Sequence, residues 1–340
     1  MVRDSNELDM KKKVILSIVA LSLGLGFTSG WFARRSWYLA QNRPPPIYLV
    51  RENNSSYPLI QPLLTFDYSD RVVFREFDPL RGKVAEIVDV KLANKNAEKI
   101  SVYFRDLNNG HWIGINENEQ YSPASLLKVP VMIAYLKEAE SEPEILHKQI
   151  TYQKDETADV EQNQTSHPLI PGEQYTIEEL IANMIIYSDN SSLVLLTKEI
   201  DAKSLGEVFG DMGIVSPNDS LPGQYLISAK TYSLFFRVLR NATILNRDMS
   251  EKALDLLSKT TFKDGLVAGV PEGLTVAHKF GLHAIKDGQN AVGIELHDCG
   301  IVYLQSSNYL LCVMTKGTQL ADLKNVIKDI SALVYKELNK

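Results

Sequence analysis

The sequence predicts a mixed α/β fold of the α+β type: an antiparallel sheet flanked by N- and C-terminal helices, with an inserted all-helical subdomain and a single transmembrane helix in front. Three features predict this order. Residues 81–94 and 319–338 carry apolar side chains at helical spacing. Extended runs with turn signals lie near both ends of 81–340, and the stretch between them is helical in period. Strands on both sides of a helical insert can pair in one antiparallel sheet, with the first and last helices packed on it.

The composition is that of a folded globular chain. The 340 residues are 44% hydrophobic and 23% charged, unlike disordered, collagen-like or multi-pass membrane chains. The formal net charge is −6, but residues 1–43 hold seven basic and three acidic side chains, net +4, so the remaining residues carry −10. Because binding to a phosphate backbone needs a dense basic surface, we expect no nucleic-acid partner.

The N-terminal region predicts a membrane anchor. Residues 14–33 contain no charge, are flanked by basic residues and would span about 30 Å as a helix, enough to cross a bilayer. A cleaved signal peptide starts in the same way. This stretch, however, ends in Trp31-Phe32 and two arginines, which favours an uncleaved anchor. Residues 34–80, which include Pro44-Pro45-Pro46, predict a linker.

The elements of 81–340 follow in the order helix, two strands, helical block, strands, helix. Strands are predicted at 100–104 and 111–115, around the turn signal Asn108-Asn109-Gly110. The sequence then predicts helices at 124–140, 176–187, 190–200, 228–240 and 250–260, followed by strands at 274–282, 291–297, 300–305 and 309–315. We therefore expect a sheet subdomain, 81–121 with 262–340, and a helical subdomain, 122–261.

The two cysteines, Cys299 and Cys312, are too few for a disulfide-built scaffold or a four-cysteine zinc site. They could form one bridge in an extracytoplasmic domain. A turn near Ser306-Ser307-Asn308 would, however, place Cys312 opposite about Val302, so we expect two buried thiols.

The first candidate catalytic motif is Ser125 followed three residues later by Lys128. Ser122 and Pro123 predict a helix start, which places both side chains on one face of the first turn. A serine hydroxyl needs a nearby base to attack a carbonyl, and a lysine can serve only where burial lowers its pKa. The apolar residues around Lys128 provide that environment. Alone, the pair also fits an ordinary helix with a surface lysine.

The second motif is Ser188-Asp189-Asn190, which lies between two helical patterns. A corner between helices can present Ser188 and Asn190 to a cleft. The same residue types also cap ordinary helices, so this motif alone does not identify a site.

The third motif is Lys279-Phe280-Gly281, inside the extended run 274–282. Its glycine allows another backbone or a substrate to come close. Lysine two residues before glycine also occurs at Lys263, which follows a helix end, and at Lys286, which lies in a hairpin turn.

Taken together and in this order, the three motifs resemble those of the penicillin-recognising serine hydrolases. These are the class A β-lactamases and penicillin-binding D,D-peptidases, with their S-x-x-K, S-D-N and K-T-G motifs. The resemblance covers about 81–340. It implies a β-lactamase/transpeptidase-like fold and an acyl-enzyme mechanism that uses no metal and no organic cofactor.

The resemblance also implies a role for each motif residue. Ser125 would be the acylated nucleophile, Lys128 its base or proton shuttle, and Ser188 a proton relay to the leaving nitrogen. The substrate-binding residues would be Asn190, Lys279, Gly281 and Leu282. Asn190 would contact the substrate amide, and Lys279 would hold Ser188 and attract the substrate carboxylate. The backbone N–H of Leu282, next to Gly281, would join that of Ser125 in an oxyanion hole.

This chain departs from the family pattern at Phe280, where the family usually has a hydroxyl that helps to bind the substrate carboxylate. Phenylalanine cannot donate a hydrogen bond, so recognition of a carboxylate is in question. The flanking His278 and His283 are the alternatives, unless they simply face solvent.

A second departure concerns deacylation. Class A lactamases place a water-activating glutamate on a loop after the S-D-N motif. Here residues 210–228 contain no glutamate, and Asp211 and Asp219 are their only carboxylates. Asp219 is the alternative base, although beside Pro217 it also fits a turn. Without a base, the acyl-enzyme formed with a β-lactam would persist, as in a peptidase.

From the resemblance we expect a serine acyl-hydrolase acting on β-lactams or on D-alanyl-D-alanine-type peptides. Two alternatives stay open: a D,D-carboxypeptidase, that is a penicillin-binding protein inhibited by β-lactams, and a β-lactam or cell-wall sensor that does not turn over. Peptidoglycan and β-lactams are met outside the cytoplasm. The resemblance therefore places 81–340 outside the cell membrane and 1–13 in the cytoplasm. We expect a monomer whose partners are the small-molecule substrate, a β-lactam or peptidoglycan stem peptide, and the membrane.

Overall fold

The computed structural model describes the chain at residue 26 and at 28–35, 51–52, 56–62, 78–153, 167–217, 224–288, 290–305 and 308–339. The chain divides into two compact units, 1–48 and 49–340. In the first unit, helix α1 is described at 28–35. Most of the predicted anchor, 14–33, lies outside the described residues. Among those that are described, no helix has both the length and the apolar content needed to cross a membrane.

The second unit is built on a five-stranded antiparallel sheet in which strands from both ends of the unit pair with each other. The strands described in this unit are β1 Lys99–Asp106, β2 Trp112–Ile115, β3 Gln120–Tyr121, β4 Gln149–Thr151, β5 Gln174–Thr176, β6 Ile227–Ser228, β7 Val276–Asp287, β8 Asn290–Val302 and β9 Tyr309–Gly317. Strands β3 and β6 pair with each other, as do β4 and β5, outside the main sheet. The order across the main sheet is β2-β1-β9-β8-β7, so β1 lies against β9 and β7 forms an edge. The predicted antiparallel sheet made from both flanks of the helical insert is therefore confirmed.

Each face of the sheet is covered by helices. The helices are α2 Asp78–Ala93, α3 Lys128–Glu138, α4 Ile177–Ile186, α5 Asn190–Glu199, α6 Ala202–Asp211, α7 Ala229–Arg240, α8 Arg247–Ser258 and α9 Leu320–Leu338, with 3-10 turns at Ala124–Leu127, Pro143–His147 and Leu266–Gly269. Helices α2 and α9 pack their apolar stripes on one face, around Phe104 and Val313. The other face, with Tyr103 and Met314, packs against the helical insert.

The core of the helical insert is centred on α3, nine of whose eleven residues are buried. Because α3 is apolar on all sides, it needs neighbours all round it, as buried helices do. Thr176 and Glu179 form a capping box that fixes the start of α4, and Asp189 caps α5 by accepting a hydrogen bond from the Ser192 N–H at 2.6 Å. These caps set the corner between α4 and α5.

The prediction of two separate strands at 291–297 and 300–305 is wrong, because β8 runs without interruption from Asn290 to Val302. Asp298 and Gly300 suggest a break, but both are used inside the sheet. Asp298 is buried and bonded to His278, and a Cβ at Gly300 would lie 2.4 Å from the Cβ of His278. Helix α6 was not predicted, since its sequence is short and contains two glycines.

The cysteines also differ from the prediction. Cys312 lies directly opposite Cys299 and not opposite Val302, which pairs with Tyr309. The two sulfurs form a disulfide between neighbouring strands. Val302 pairs with Tyr309, so the connection between β8 and β9 is longer than a tight turn. The longer connection changes which residues of the two strands lie opposite each other.

Residues 56–62, within the predicted linker, contact α7 and α8. The Glu251 carboxylate accepts hydrogen bonds from the backbone N–H groups of Leu59 and Ile60, each at 3.0 Å. The buried Arg240 guanidinium donates to the Leu59 carbonyl oxygen at 2.5 Å. These contacts to the backbone hold this part of the linker on the domain.

Replacing Glu251 by alanine should free this segment. Two backbone amides would lose their acceptor, and we expect the free energy of unfolding to fall by about 1–3 kcal/mol. Hydrogen exchange at Leu59 and Ile60 should become faster. The matched control is Glu272→Ala, which removes an exposed glutamate and should change neither quantity. Unchanged exchange at both amides in the Glu251 variant would contradict the assignment.

Candidate active site

The candidate nucleophile lies in a strained turn at the start of α3. Ser125 is the second residue of the 3-10 turn Ala124–Leu127, and Lys128 is the first residue of α3. Ala124 has a φ of +48°, in the left-handed region that residues with a Cβ rarely adopt. Such a conformation costs about 1–3 kcal/mol and persists only where the surrounding structure imposes it.

Ser122 does not cap this turn, so that prediction is wrong. Its backbone N–H donates to Glu295 Oε2 at 3.2 Å, and its carbonyl oxygen accepts from His297 Nε2 at 3.0 Å. Burial lowers the pKa of His297 to about 4, so its imidazole is neutral at pH 7 with the proton on Nε2. Glu295 and His297, on the same face of β8, therefore fix Ser122, which leads into the turn that contains Ser125.

Lys128 is fully buried beneath this turn. Its Nζ lies 2.5 Å from the Ser188 carbonyl oxygen, 2.6 Å from Asn190 Oδ1 and 3.1 Å from Ser188 Oγ. Burial lowers the pKa of Lys128 to about 7, against a weaker opposing effect of Asp189. The apolar environment predicted for this lysine is present, and it gives a substantial neutral fraction at pH 7.

The motif 188–190 forms the corner between α4 and α5. Ser188 has a φ of +57° and is buried, while the next residue, Asp189, caps α5. The capping interpretation therefore holds for Asp189, whereas Ser188 and Asn190 turn toward Lys128. The sequence alone could not separate these two uses of one tripeptide.

Lys279, on β7, completes a hydrogen-bonded row. Its Nζ donates to Ser188 Oγ at 2.9 Å and to the Phe280 carbonyl oxygen at 3.0 Å. Lys279 is fully buried, and burial together with the nearby Lys128 holds its pKa well below the usual value. The Ser188 hydroxyl thus bridges the amino groups of the two lysines.

Gly281 and Leu282 bring the edge of the sheet to the turn Ala124–Leu127. A Cβ at Gly281 would lie 2.8 Å from the Pro123 carbonyl oxygen, so only glycine permits this approach. The carbonyls of His278 and Phe280 bind Thr260 Oγ1 and Lys279 Nζ, so they point away from β8. Backbone direction alternates along an antiparallel strand, and the Leu282 N–H therefore points to the same open edge.

The arrangement can perform acyl transfer. Ser125, a residue that is 8% exposed, offers a hydroxyl, and Lys128 offers a base of suitable pKa. Among the described residues, no hydrogen bond joins the Ser125 hydroxyl to Lys128, which is bonded to Ser188 and Asn190. To accept a proton from Ser125, Lys128 would first have to exchange one of these contacts.

The two histidines beside the third motif are not equivalent. His278 is fully buried, with Nδ1 2.8 Å from Asp298 Oδ1, and so cannot reach a substrate. His283 is exposed and lies opposite Glu295 in the β7–β8 register, and burial raises the pKa of the Glu295 carboxyl. The solvent-facing interpretation holds for His283.

Of the two aspartates considered for deacylation, Asp219 lies outside the described residues. Asp211 is the last residue of α6 and lines a surface cavity with Lys137 and Ile244. The structure thus places Asp211 in a different part of the domain from the lysine–serine row.

Sequence reasoning missed Phe262 and the β8 pair formed by Glu295 and His297. Phe262 stacks on Phe280, with ring centroids 4.3 Å apart, but comes from a loop 18 positions earlier in the chain. No local pattern reports such a contact. Glu295 and His297 do alternate in a strand, and that spacing could have placed them on one face.

Comparison with known proteins gives one family and one fold. The model of a family described as "Beta-lactamase enzyme family" matches residues 80–338. A β-lactamase of Streptomyces albus G is 25% identical over 206 residues. That match covers 56% of this chain and 66% of the enzyme, so the chain spans just under two thirds of that relative's length.

Solved structures share the fold at low identity. A mutant of PBP-A, in an acyl-enzyme complex with penicillin G, has a TM-score of 0.63 and 22% identity, covering 77% of this chain and 97% of its own. A β-lactamase from Chitinophaga pinensis has a TM-score of 0.64 and 23% identity, covering 77% of this chain and 100% of its own. At these identities the likeness shows the fold alone.

The close packing at Gly281 generates a stability prediction. Gly281→Ala should lower the free energy of unfolding by about 1–3 kcal/mol, because the added methyl group overlaps the Pro123 carbonyl and the Leu126 side chain. Thermal unfolding measures the effect. The matched control is Gly206→Ala in α6, where a Cβ meets nothing within 4 Å. That change should stabilise the protein by about 0.5–1 kcal/mol. Equal midpoints for the two variants would refute the packing argument.

Proposed function

The chain belongs to the beta-lactamase enzyme family, a family of serine hydrolases, and from that premise we propose that it works through an acyl-enzyme formed on Ser125. The observation that carries the proposal is the Ser188 hydroxyl held between the buried amino groups of Lys128 and Lys279. Burying two lysine amino groups costs desolvation free energy. That cost is expected at a site that uses their lowered pKa values or their hydrogen bonds.

In the proposed reaction, neutral Lys128 accepts the hydroxyl proton of Ser125, and Ser125 Oγ bonds to the substrate carbonyl carbon. The carbon–nitrogen bond of the substrate then breaks. Ser188 passes the proton from Lys128 to the leaving nitrogen, and Lys279 keeps the Ser188 hydroxyl in place. The N–H groups of Ser125 and Leu282 stabilise the oxyanion, each by about 3–4 kcal/mol. Water later hydrolyses the acyl ester.

The proposed substrates are β-lactams or peptides ending in D-alanyl-D-alanine, with Asn190 contacting the substrate amide. The β-lactamase relative and the acyl-enzyme that a PBP-A mutant forms with penicillin G support this substrate class. Neither a metal nor an organic cofactor has a step in this mechanism.

A D,D-carboxypeptidase that β-lactams inhibit is the second candidate. The absence of glutamate from residues 210–228 favours it, because a base is needed to activate the deacylating water. The same absence favours a sensor that is acylated without turning over. The lifetime of the acyl-enzyme separates these functions from that of a β-lactamase.

We also propose that residues 14–33 anchor the chain in the cell membrane, with 81–340 on the extracytoplasmic side as a monomer. The uncharged apolar sequence of 14–33 supports an anchor. The Cys299–Cys312 disulfide supports an oxidising compartment.

The intact mass of the full-length chain after minutes and hours with benzylpenicillin tests this function. We expect a mass increase of one penicillin in the native chain and none in Ser125→Ala. A persistent adduct supports the peptidase or the sensor, and a transient adduct with loss of the drug supports a β-lactamase. If the native chain gains no mass and leaves the drug intact, or if Ser125→Ala is labelled equally, the proposal is wrong.

A further inference from the structure

An aromatic pair lies at the open edge of β7, next to the lysine–serine row. The rings of Phe262 and Phe280 are stacked, with centroids 4.3 Å apart and planes inclined by 21°. Phe262 and Phe280 are only partly buried, so the pair is partly exposed to solvent. Lys279 Nζ lies 4.2 Å from the centroid of the Phe280 ring.

This pair changes what the site offers to a substrate. The Lys279 amino group is fully buried and donates to Ser188 Oγ and to the Phe280 carbonyl oxygen. His278 is buried against Asp298, and His283 faces Glu295. The Lys279 amino group and the His278 imidazole are therefore covered and already hydrogen-bonded, and His283 lies opposite a carboxylate in the strand register.

A carboxylate placed against the two rings would lose its water without gaining a hydrogen-bond donor from Phe280. Burying an unpaired anion is strongly unfavourable. An apolar group at the same place would gain from removal of its surface from water, and an aromatic group would also stack on the part of the rings that is exposed.

We propose that the subsite formed by Phe262 and Phe280 binds an uncharged apolar group on the leaving-group side of the substrate, and discriminates against a carboxylate. The inference rests on the proposed acyl-enzyme at Ser125 and narrows its substrates. Among β-lactams and acyl-D-alanyl compounds, those with a masked or neutral terminus are the better acyl donors. Phe280 acts as the specificity-determining residue and Phe262 supports its ring.

Benzylpenicillin and its benzyl ester form a matched pair of probes, since they share the acyl group and the ring system. The measurement is the second-order rate of acylation of the full-length chain by each compound, followed by intact mass. Each rate is divided by the rate of hydroxide hydrolysis of the same compound, which removes the difference in intrinsic reactivity. We expect the ester to react at least about tenfold faster than the acid.

Two variants, Phe280→Val and Phe280→Thr, have side chains of nearly the same shape. Together they show how much of the ester preference comes from the aromatic ring and how much from the missing hydroxyl. Phe280→Val removes the ring and adds no donor, so the ester preference should fall while the rate with the acid stays low. Phe280→Thr also adds a hydroxyl, so the rate with the acid should rise about tenfold above that of Phe280→Val.

A corrected ester-to-acid ratio of one or less in the native chain overturns the inference and leaves the proposed function intact, because Ser125 is still acylated. A ratio that Phe280→Val does not change overturns the assignment to Phe280. Failure of both compounds to acylate Ser125 overturns the proposed function and this inference together.

Discussion

The burial of two lysine side chains around one serine hydroxyl is the interaction on which the site depends. Removing an ammonium group from water is costly, so burial lowers the pKa of both lysines, and the nearby Lys128 lowers the pKa of Lys279 further. Ser188 Oγ lies 3.1 Å and 2.9 Å from the amino groups of Lys128 and Lys279. Desolvation is thus what converts an ordinary lysine into a base at neutral pH.

This row exists only because three distant parts of the chain meet. Lys128 comes from the central helix α3, Ser188 from the corner between α4 and α5, and Lys279 from the edge strand of the sheet. The meeting depends on local features: left-handed backbone at Ala124 and Ser188, and a glycine at 281 that lets β7 touch the turn that contains Ser125. Strain in the helical insert is offset by packing in the surrounding core.

Much of this could be predicted from the sequence. Periodic apolar residues gave α9, β1 and most of the helical insert, because burial has the same period as the element. The order of the motifs singled out Ser125, Lys128 and Ser188 as candidate site residues. Contacts between distant residues were not predictable: the stacking of Phe262 on Phe280 and the pairing of Cys299 with Cys312 depend on strand register and loop path. A shift of one residue in strand register moves every side chain of that strand to the other face of the sheet.

The pH dependence of acylation tests the central claim, that burial gives Lys128 a usable base at neutral pH. The second-order rate with benzylpenicillin reports the free protein, and the neutral fraction of Lys128 rises with pH through its pKa of about 7. The account predicts that the rate increases about tenfold per pH unit below 6, reaches half its maximum near pH 7 and is constant above 8. A rate that does not change from pH 5.5 to 8.5, or that reaches its midpoint above pH 9, would contradict it.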